Sequence, residues 1–256
     1  MRPRNGLRAA LEGGGRLIGT FVKSSDPAIA ELLAIAGYDL LVADVEHSSL
    51  ALREVEAIAR AAEPHGVPVL ARIAPREVAS AGRFLDAGVI GVQVTDVTDV
   101  ETLRELRHAT RFPPAGHRSL ALSHRAAGFG ALSPAEFLER ADAELLTVAQ
   151  IESRAGLAAL GDLLAVPSNP DVWFIGPFDL SSDLGHPGAV SHPEVTRAID
   201  DVLDAVHRRG ARSGIFARDA EDARRWIERG VRFILLGSDM TLLATAARGT
   251  LTAVRS

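Results

Sequence analysis

The chain contains no cysteine. That excludes disulfides, thiolate metal sites and a cysteine nucleophile, and it fits a reducing, cytoplasmic setting. Lysine is nearly absent too. Lys23 is the only one, so any chemistry that needs a lysine amine must use that residue. No apolar run approaches the roughly 20 residues needed to cross a bilayer, so no membrane span is expected. Residues 1–15 are charged and Gly-rich and carry no apolar signal segment, which predicts a soluble, intracellular protein. Acidic and basic residues are mixed along the chain, with a net charge of −5. A basic stripe for a phosphate backbone is missing, so nucleic acid is not an expected partner. The GxGxxG, Walker A and HExxH patterns are absent as well. Gly13-Gly14-Gly15 precedes a strand-like run, not a helix, and reads as a flexible turn.

What is present is apolar and rhythmic. The chain has 256 residues, 47% of them hydrophobic, and no Pro/Gly/Ser-rich linker divides it. One domain over residues 1–256 is expected. Short runs rich in Val, Ile, Leu and Phe occur at 17–22, 40–45, 67–73, 89–94, 145–151, 172–175, 212–216 and 232–236. Such runs suit strands buried on both faces. Amphipathic stretches separate them. Asp26-Pro27 opens one with a cap residue and a first-turn proline, and Leu52, Val55, Ile58 and Ala59 form the apolar stripe of the next. Pro75 opens a third; 99–108, 153–164, 193–209, 219–229 and 240–254 follow. About eight strand–helix units imply a parallel sheet with helical crossovers. The count favours closure into a (β/α)8 TIM barrel of roughly 250 residues, with an open doubly wound sheet as the alternative. Residues 110–134 break the rhythm with Pro113-Pro114, Gly116, Gly128 and Gly130. Arg111, Arg118, Arg125, His117 and His124 within this loop suggest either a lid over an anionic ligand or a solvated surface excursion.

In such barrels chemistry sits at the C-terminal ends of the strands. Polar residues collect there: Lys23 and Ser24; Asp44, Glu46 and His47; Arg72; Gln93 and Thr95; Gln150 and Glu152; Asp179; and Ser238-Asp239. A strand's period of two puts Asp44 and Glu46 on one face, and Gln150 and Glu152 likewise. Carboxylates from strands two, five and six would meet at one mouth. Several buried carboxylates do not all stay ionised without a cation, and oxygen donors suit Mg²⁺ or Mn²⁺. Each residue also has a plainer reading: Glu152 as a helix cap, Asp179 as a turn residue, His47 as a satisfied helix-start histidine, Arg72 as an ordinary ion-pair partner. Trp173 and Trp226 read as core or interface residues.

The segments Asp44-Val45-Glu46-His47, Gln150-Ile151-Glu152, Gly176-Pro177-Phe178-Asp179-Leu180-Ser181 and Gly185-His186-Pro187-Gly188 resemble the HpcH/HpaI aldolases. The likeness runs from Gly19 to Leu243 and includes Pro113-Pro114-Ala115-Gly116 and Gly237-Ser238-Asp239. This resemblance implies a barrel of the phosphoenolpyruvate/pyruvate-domain type. It implies a class II aldehyde lyase that reversibly cleaves a 4-hydroxy-2-oxo acid to pyruvate, or a related 2-oxo acid, and an aldehyde through a metal-stabilised enolate. Glu152 and Asp179 match metal ligands for Mg²⁺, Mn²⁺ or Co²⁺. His47 matches the general base, with Asp44 as its orienting partner, and Arg72 matches the group that stabilises the enolate oxygen. Gln150 matches a position beside the metal. Gly176 to Asp179 match the turn whose amides hold the pyruvyl carboxylate, with Phe178 and Asp179 as donors because Pro177 has no N–H. Asp86 matches an acidic residue that reaches a neighbouring subunit, in a family that is usually hexameric with helices exchanged between barrels.

The chain departs from the family pattern at three places. Thr95-Asp96 replaces a Val-Pro-like continuation after strand four, Val45 stands where Gly or Thr is usual, and His117 replaces a small or apolar residue. Three other readings are open at this point: a Schiff-base aldolase using Lys23, a CoA-ester lyase of the citrate lyase β or citramalyl type, and a non-catalytic 2-oxo-acid-binding barrel.

Overall fold

The computed structural model describes residues 6–167 and 169–255; the first five positions of the Gly-rich segment, Ser168 and Ser256 lie outside the described residues. The strands are β1 (Leu17–Val22), β2 (Leu40–Asp44), β3 (Val69–Ile73), β4 (Gly91–Val94), β5 (Leu146–Ile151), β6 (Val172–Ile175), β7 (Ser213–Ala217) and β8 (Phe233–Ser238). They pair in parallel and in sequence order, and β8 closes on β1. The expected barrel is the observed fold, and the open-sheet alternative is set aside. Strand boundaries move from the expected ones by a few residues at most. β8, for instance, runs to Ser238, past the expected end at 236.

The helices are α1 (Leu7–Glu12), α2 (Pro27–Ile35), α3 (Leu52–Ala62), α4 (Ala81–Ala87), α5 (Val100–Thr110), α6 (Pro134–Glu144), α7 (Arg154–Ala165), α8 (Pro177–Asp183), α9 (Pro193–Arg208), α10 (Ala220–Glu228) and α11 (Asp239–Arg255). Short polar side chains start them where the sequence places caps. Asp26, Asp99, Ser153 and Asp219 each accept from an amide in the first turn, satisfying donors that a helix leaves open. Among the described residues, no helix is long and apolar enough to cross a membrane.

Period-two alternation gives two cores. Outward residues such as Leu41, Ala43, Ile73, Ile151 and Ile175 pack under the helices, together with both tryptophans. Inward residues such as Leu40, Val42, Leu70, Leu146, Val148, Phe174 and Phe233 fill the barrel. Register then decides what stands above them. Asp44 lies beside Arg72, and Arg72 beside Gln93, so three polar side chains form one layer over the apolar plug. Close strand approach needs Gly91, because a Cβ there would run into the Leu146 carbonyl.

Three helices lie outside the expected set. α6 carries a capping box, Ser133 with Glu136, that the Ser-Pro-Ala-Glu sequence displays. α8 is short and begins at Pro177. α1 closes the lower end of the barrel: Leu7 and Leu11 are buried against the inward core, and the Leu11 carbonyl accepts from Arg212.

The 110–134 segment corrects an expectation. Its side chains tie it to the lower rim of its own barrel, away from the mouth. Arg118 donates to Asp86 at 2.6 Å, in the last turn of α4. Arg125 pairs with Glu63, just past α3, and Arg111 pairs with Asp142 of α6. Barrel helices run against the strands, so these helix ends lie at the N-terminal face. The arginines that suggested a lid are spent on these carboxylates, and the segment does not cover this chain's mouth.

Leu11→Ala should remove part of the lower plug and cost about 2–5 kcal/mol, as for other buried leucines. A urea unfolding midpoint equal to that of the parent would show that α1 does not seal the barrel.

Candidate active site

The mouth of the barrel holds a cavity of about 200 Å³ lined by residues that include Lys23, His47, Arg72, Gln150, Gly176 and Asp179. Phe21, Phe178 and Phe216 form an aromatic wall, with Phe21 and Phe216 stacked at 6.1 Å and Phe178 edge-on to Phe216 at 5.7 Å. Phe21 and Phe216 were not legible from the sequence, where they resemble ordinary strand apolars. Gly176, Phe178, Asp179, Gln150, Arg72 and His47 all reach the cavity, as expected. Asp86, expected at a neighbouring subunit and not in this cavity, is held by Arg118 and lies 3.3 Å from His124 at the other face.

Asp44 is fully buried at the end of β2. Arg72 grips it with two parallel bonds, Nε to Oδ1 at 2.9 Å and Nη2 to Oδ2 at 2.7 Å, the geometry in which guanidinium and carboxylate match best. Lys23 Nζ adds a contact of 3.1 Å to Oδ2, and the His47 amide donates to Oδ1 at 3.0 Å. Burial alone would push the Asp44 carboxyl up. The bonds and charge of Arg72, the His47 amide and Lys23 outweigh it and hold the group below the usual carboxylate range. Asp44 meets His47 through that main-chain amide. Its side-chain oxygens are already taken by two cations. The carboxylate nearest the imidazole is Glu46, with Oε2 at 3.6 Å from His47 Nε2.

On the opposite wall a relay fixes Glu152. Gln93 Nε2 donates to Gln150 Oε1 at 2.6 Å, and Gln150 Nε2 donates to Glu152 Oε2. The Asp96 amide donates to Glu152 Oε1 at 3.0 Å. Asp96 reaches that position with a left-handed φ of 38°, a conformation Asp tolerates, and Ser153 Oγ holds its side chain at 2.6 Å. Gly176 leaves room for the pair: a Cβ there would overlap Glu152 and sit 2.7 Å from Gln150 Nε2.

Glu152 is only 7% exposed. Burial, then the nearby Asp179 charge, push its carboxyl up to about 8. A buried carboxyl pushed up by a neighbouring negative charge needs either a proton or a cation beside it. The donors available are oxygens, which fits a hard divalent ion and not a soft one. A separate trio, His186, His192 and Glu194, lies on the surface outside the cavity. It belongs to the Gly185–Gly188 motif and the start of α9, where His192 caps the helix and His186 meets Glu194 at 2.9 Å.

A raised folded-state pKa adds stability that is full below the ordinary value of 4.5 and is lost as pH rises towards about 8. The metal-free protein should therefore lose melting temperature between these limits, and Glu152→Gln should flatten that slope. Binding of Mn²⁺ at pH 7 should release about one proton, read by calorimetry in two buffers of unlike ionisation enthalpy. A buffer-independent enthalpy would contradict the protonated carboxyl.

Comparison with known proteins agrees with this geometry. The model of the HpcH/HpaI aldolase/citrate lyase family matches residues 17–246. A hydroxypyruvate/pyruvate aldolase of Roseovarius nubinhibens is 37% identical over 97% of this chain and 96% of its own length. A 4-hydroxy-2-oxo-heptane-1,7-dioate aldolase of Shigella boydii is 34% identical over 95% of this chain and 92% of its own. The crystal structure of an HpcH/HpaI aldolase/citrate lyase family protein from Burkholderia cenocepacia superposes with a TM-score of 0.90 at 35% identity, covering 98% of this chain and all of that one. With its barrel, its cavity and these relatives, the chain belongs to the HpcH/HpaI aldolase/citrate lyase family.

Proposed function

We propose that this protein is a divalent-metal-dependent aldolase that reversibly cleaves a 4-hydroxy-2-oxo acid to pyruvate, or a related 2-oxo acid, and an aldehyde. The observation that carries this reading is the buried Glu152 pressed by the charge of Asp179, which shares one cavity with Arg72, Gln150 and His47. The names of the relatives support the same class of substrate. Glu152 and Asp179 would hold Mg²⁺ or Mn²⁺, with Co²⁺ as a further candidate. Bound there, the ion would supply a Lewis acid for the substrate's 2-oxo and carboxylate oxygens.

The chain's own groups do the rest. The amides of Phe178 and Asp179, in the open first turn of α8, bind the 1-carboxylate; Pro177 cannot. Arg72, held from behind by Asp44, keeps N–H groups free for the 2-oxo oxygen as it takes on enolate charge. His47 takes the proton from the 4-hydroxyl, the C3–C4 bond breaks, and its electrons pass to the enolate while the aldehyde leaves. Lys23 is a poor imine former here, since its ammonium is engaged with Asp44 and an ammonium has no lone pair for attack.

The protein would work as a homo-oligomer, a hexamer by family resemblance. α11 is the supporting observation: it spans 17 residues, and along it Met240, Leu242, Leu243, Leu251 and Val254 are all exposed. Light scattering should give a mass several times the 27.1 kDa of one chain; a monomer would overturn this part.

Incubation of the Mn²⁺-loaded protein with pyruvate in D₂O should exchange the methyl protons, whatever the aldehyde. Glu152→Ala and Asp179→Ala should each abolish this exchange. Retained exchange in both variants after metal stripping would refute the site.

A further inference from the structure

We propose that His186, His192 and Glu194 form a second metal site, outside the barrel mouth and suited to Zn²⁺ or Ni²⁺ in place of Mg²⁺ or Mn²⁺. The inference stands apart from the aldolase reading.

The Gly185-His186-Pro187-Gly188 motif takes no part in the mechanism above. It opens the segment that joins α8 to α9, and main-chain bonds fold that segment on itself. The His186 amide donates to the Ser181 carbonyl at 2.8 Å, the Ala189 amide to the His186 carbonyl at 2.9 Å, and the His192 amide to the Ala189 carbonyl at 2.8 Å. The buried Ser181 hydroxyl accepts from the Gly188 amide at 3.1 Å and donates to the Phe178 carbonyl at 2.7 Å. Gly185 and Gly188 supply left-handed φ values of 87° and 75° that other residues rarely adopt. Glu194 follows in the first turn of α9. The backbones of all three residues are thus held before any ion arrives.

Their side chains converge. The two imidazoles stack with ring centroids 3.5 Å apart and planes inclined by 21°. His186 Nε2 lies 2.9 Å from Glu194 Oε2. One ligand atom from each residue falls within 4.8 Å of the other two. A zinc ion with bonds of about 2 Å holds neighbouring donors about 3 Å apart. The His186–Glu194 pair already has that spacing, and rotation of the His192 side chain closes the rest. Two stacked imidazoles repel one another when both are protonated, whereas both are neutral when they share a metal.

Donor chemistry selects the ion. Two nitrogens and one oxygen suit Zn²⁺ and Ni²⁺, while the all-oxygen pair Glu152 and Asp179 suits harder ions. Three protein ligands leave a position for water, in keeping with a site at the surface. Competing claims on these atoms are weak. Arg154 Nη2 is 4.0 Å from Glu194 Oε1 and is already bonded to the Leu184 carbonyl at 2.8 Å. The Glu194 amide donates to His192 Nδ1 at a long 3.3 Å. A neutral imidazole has one lone pair, so this cap gives way when the ring ligates. The ion then ties the start of α9 to the segment instead. Since Ser181 links that segment to α8, whose first turn carries Phe178 and Asp179, the site acts as a clamp behind the active-site turn.

The test uses the whole protein with its mouth blanked by Glu152→Gln and Asp179→Asn. Calorimetric titration with Zn²⁺ at about pH 7 should show one equivalent bound, with a Kd in the micromolar range, and excess Mg²⁺ should not displace it. Adding His186→Gln, or His192→Asn, which keeps a capping side chain, should each weaken binding about 10-fold or more. Zn²⁺ should also raise the melting temperature of the blanked protein, and raise it less once His186→Gln is added. Should the blanked protein not fold, crystals of the parent protein soaked in Zn²⁺ and measured at the zinc absorption edge decide; a peak among the three side chains is expected. Binding confined to millimolar Zn²⁺, an affinity unchanged by either histidine variant, or no peak at the trio would overturn the proposal and leave an adventitious ion only.

Discussion

A carboxylate shut away from water beside a second carboxylate is the constraint on which this molecule turns. Glu152 is buried by the barrel, fixed by Gln150 and the Asp96 amide, and crowded by Asp179. Such a pair is costly unless a proton or a cation neutralises it. The surrounding structure is arranged to maintain the arrangement and not to relieve it. Gly176 has no side chain to displace Glu152 and Gln150, and the glutamine relay from Gln93 spends donors on holding Glu152 still.

The facing wall solves the opposite problem. Asp44 is also buried, yet it is matched by a bidentate arginine, a lysine and an amide. Its charge is kept, and Arg72 is held rigidly with its remaining N–H groups directed at the cavity. Rigid donors aimed at a place where negative charge develops are what stabilise an enolate. The two walls thus divide the labour: one is short of positive charge and suited to a divalent ion, the other is satisfied and suited to an oxyanion. Phe21, Phe178 and Phe216 line the same cavity as an aromatic wall.

Much of this could be read from residue order. Apolar runs of four to seven residues separated by capped amphipathic stretches dictate eight crossovers, and the cap residues Asp26, Asp99, Ser153 and Asp219 do start helices. Period two correctly put Glu152 and Gln150 on the inner face. What could not be read was pairing between segments distant in sequence. The arginines of 111–125 resemble anion-binding residues until one sees Asp86, Glu63 and Asp142 beside them. That Arg72 and Lys23 both sit on the oxygens of Asp44 is likewise visible only once the strands are paired. Phe21 and Phe216 lie on β1 and β7, nearly 200 residues apart, and only barrel closure brings their rings together.

The central claim is that one divalent ion sits between Glu152 and Asp179. Crystals soaked in Mn²⁺ and measured at the manganese absorption edge test it most directly. The account predicts an anomalous peak within coordination distance, roughly 2 Å, of oxygens from both residues. A peak confined to the surface trio of His186, His192 and Glu194, with density between the two carboxylates empty, would contradict it.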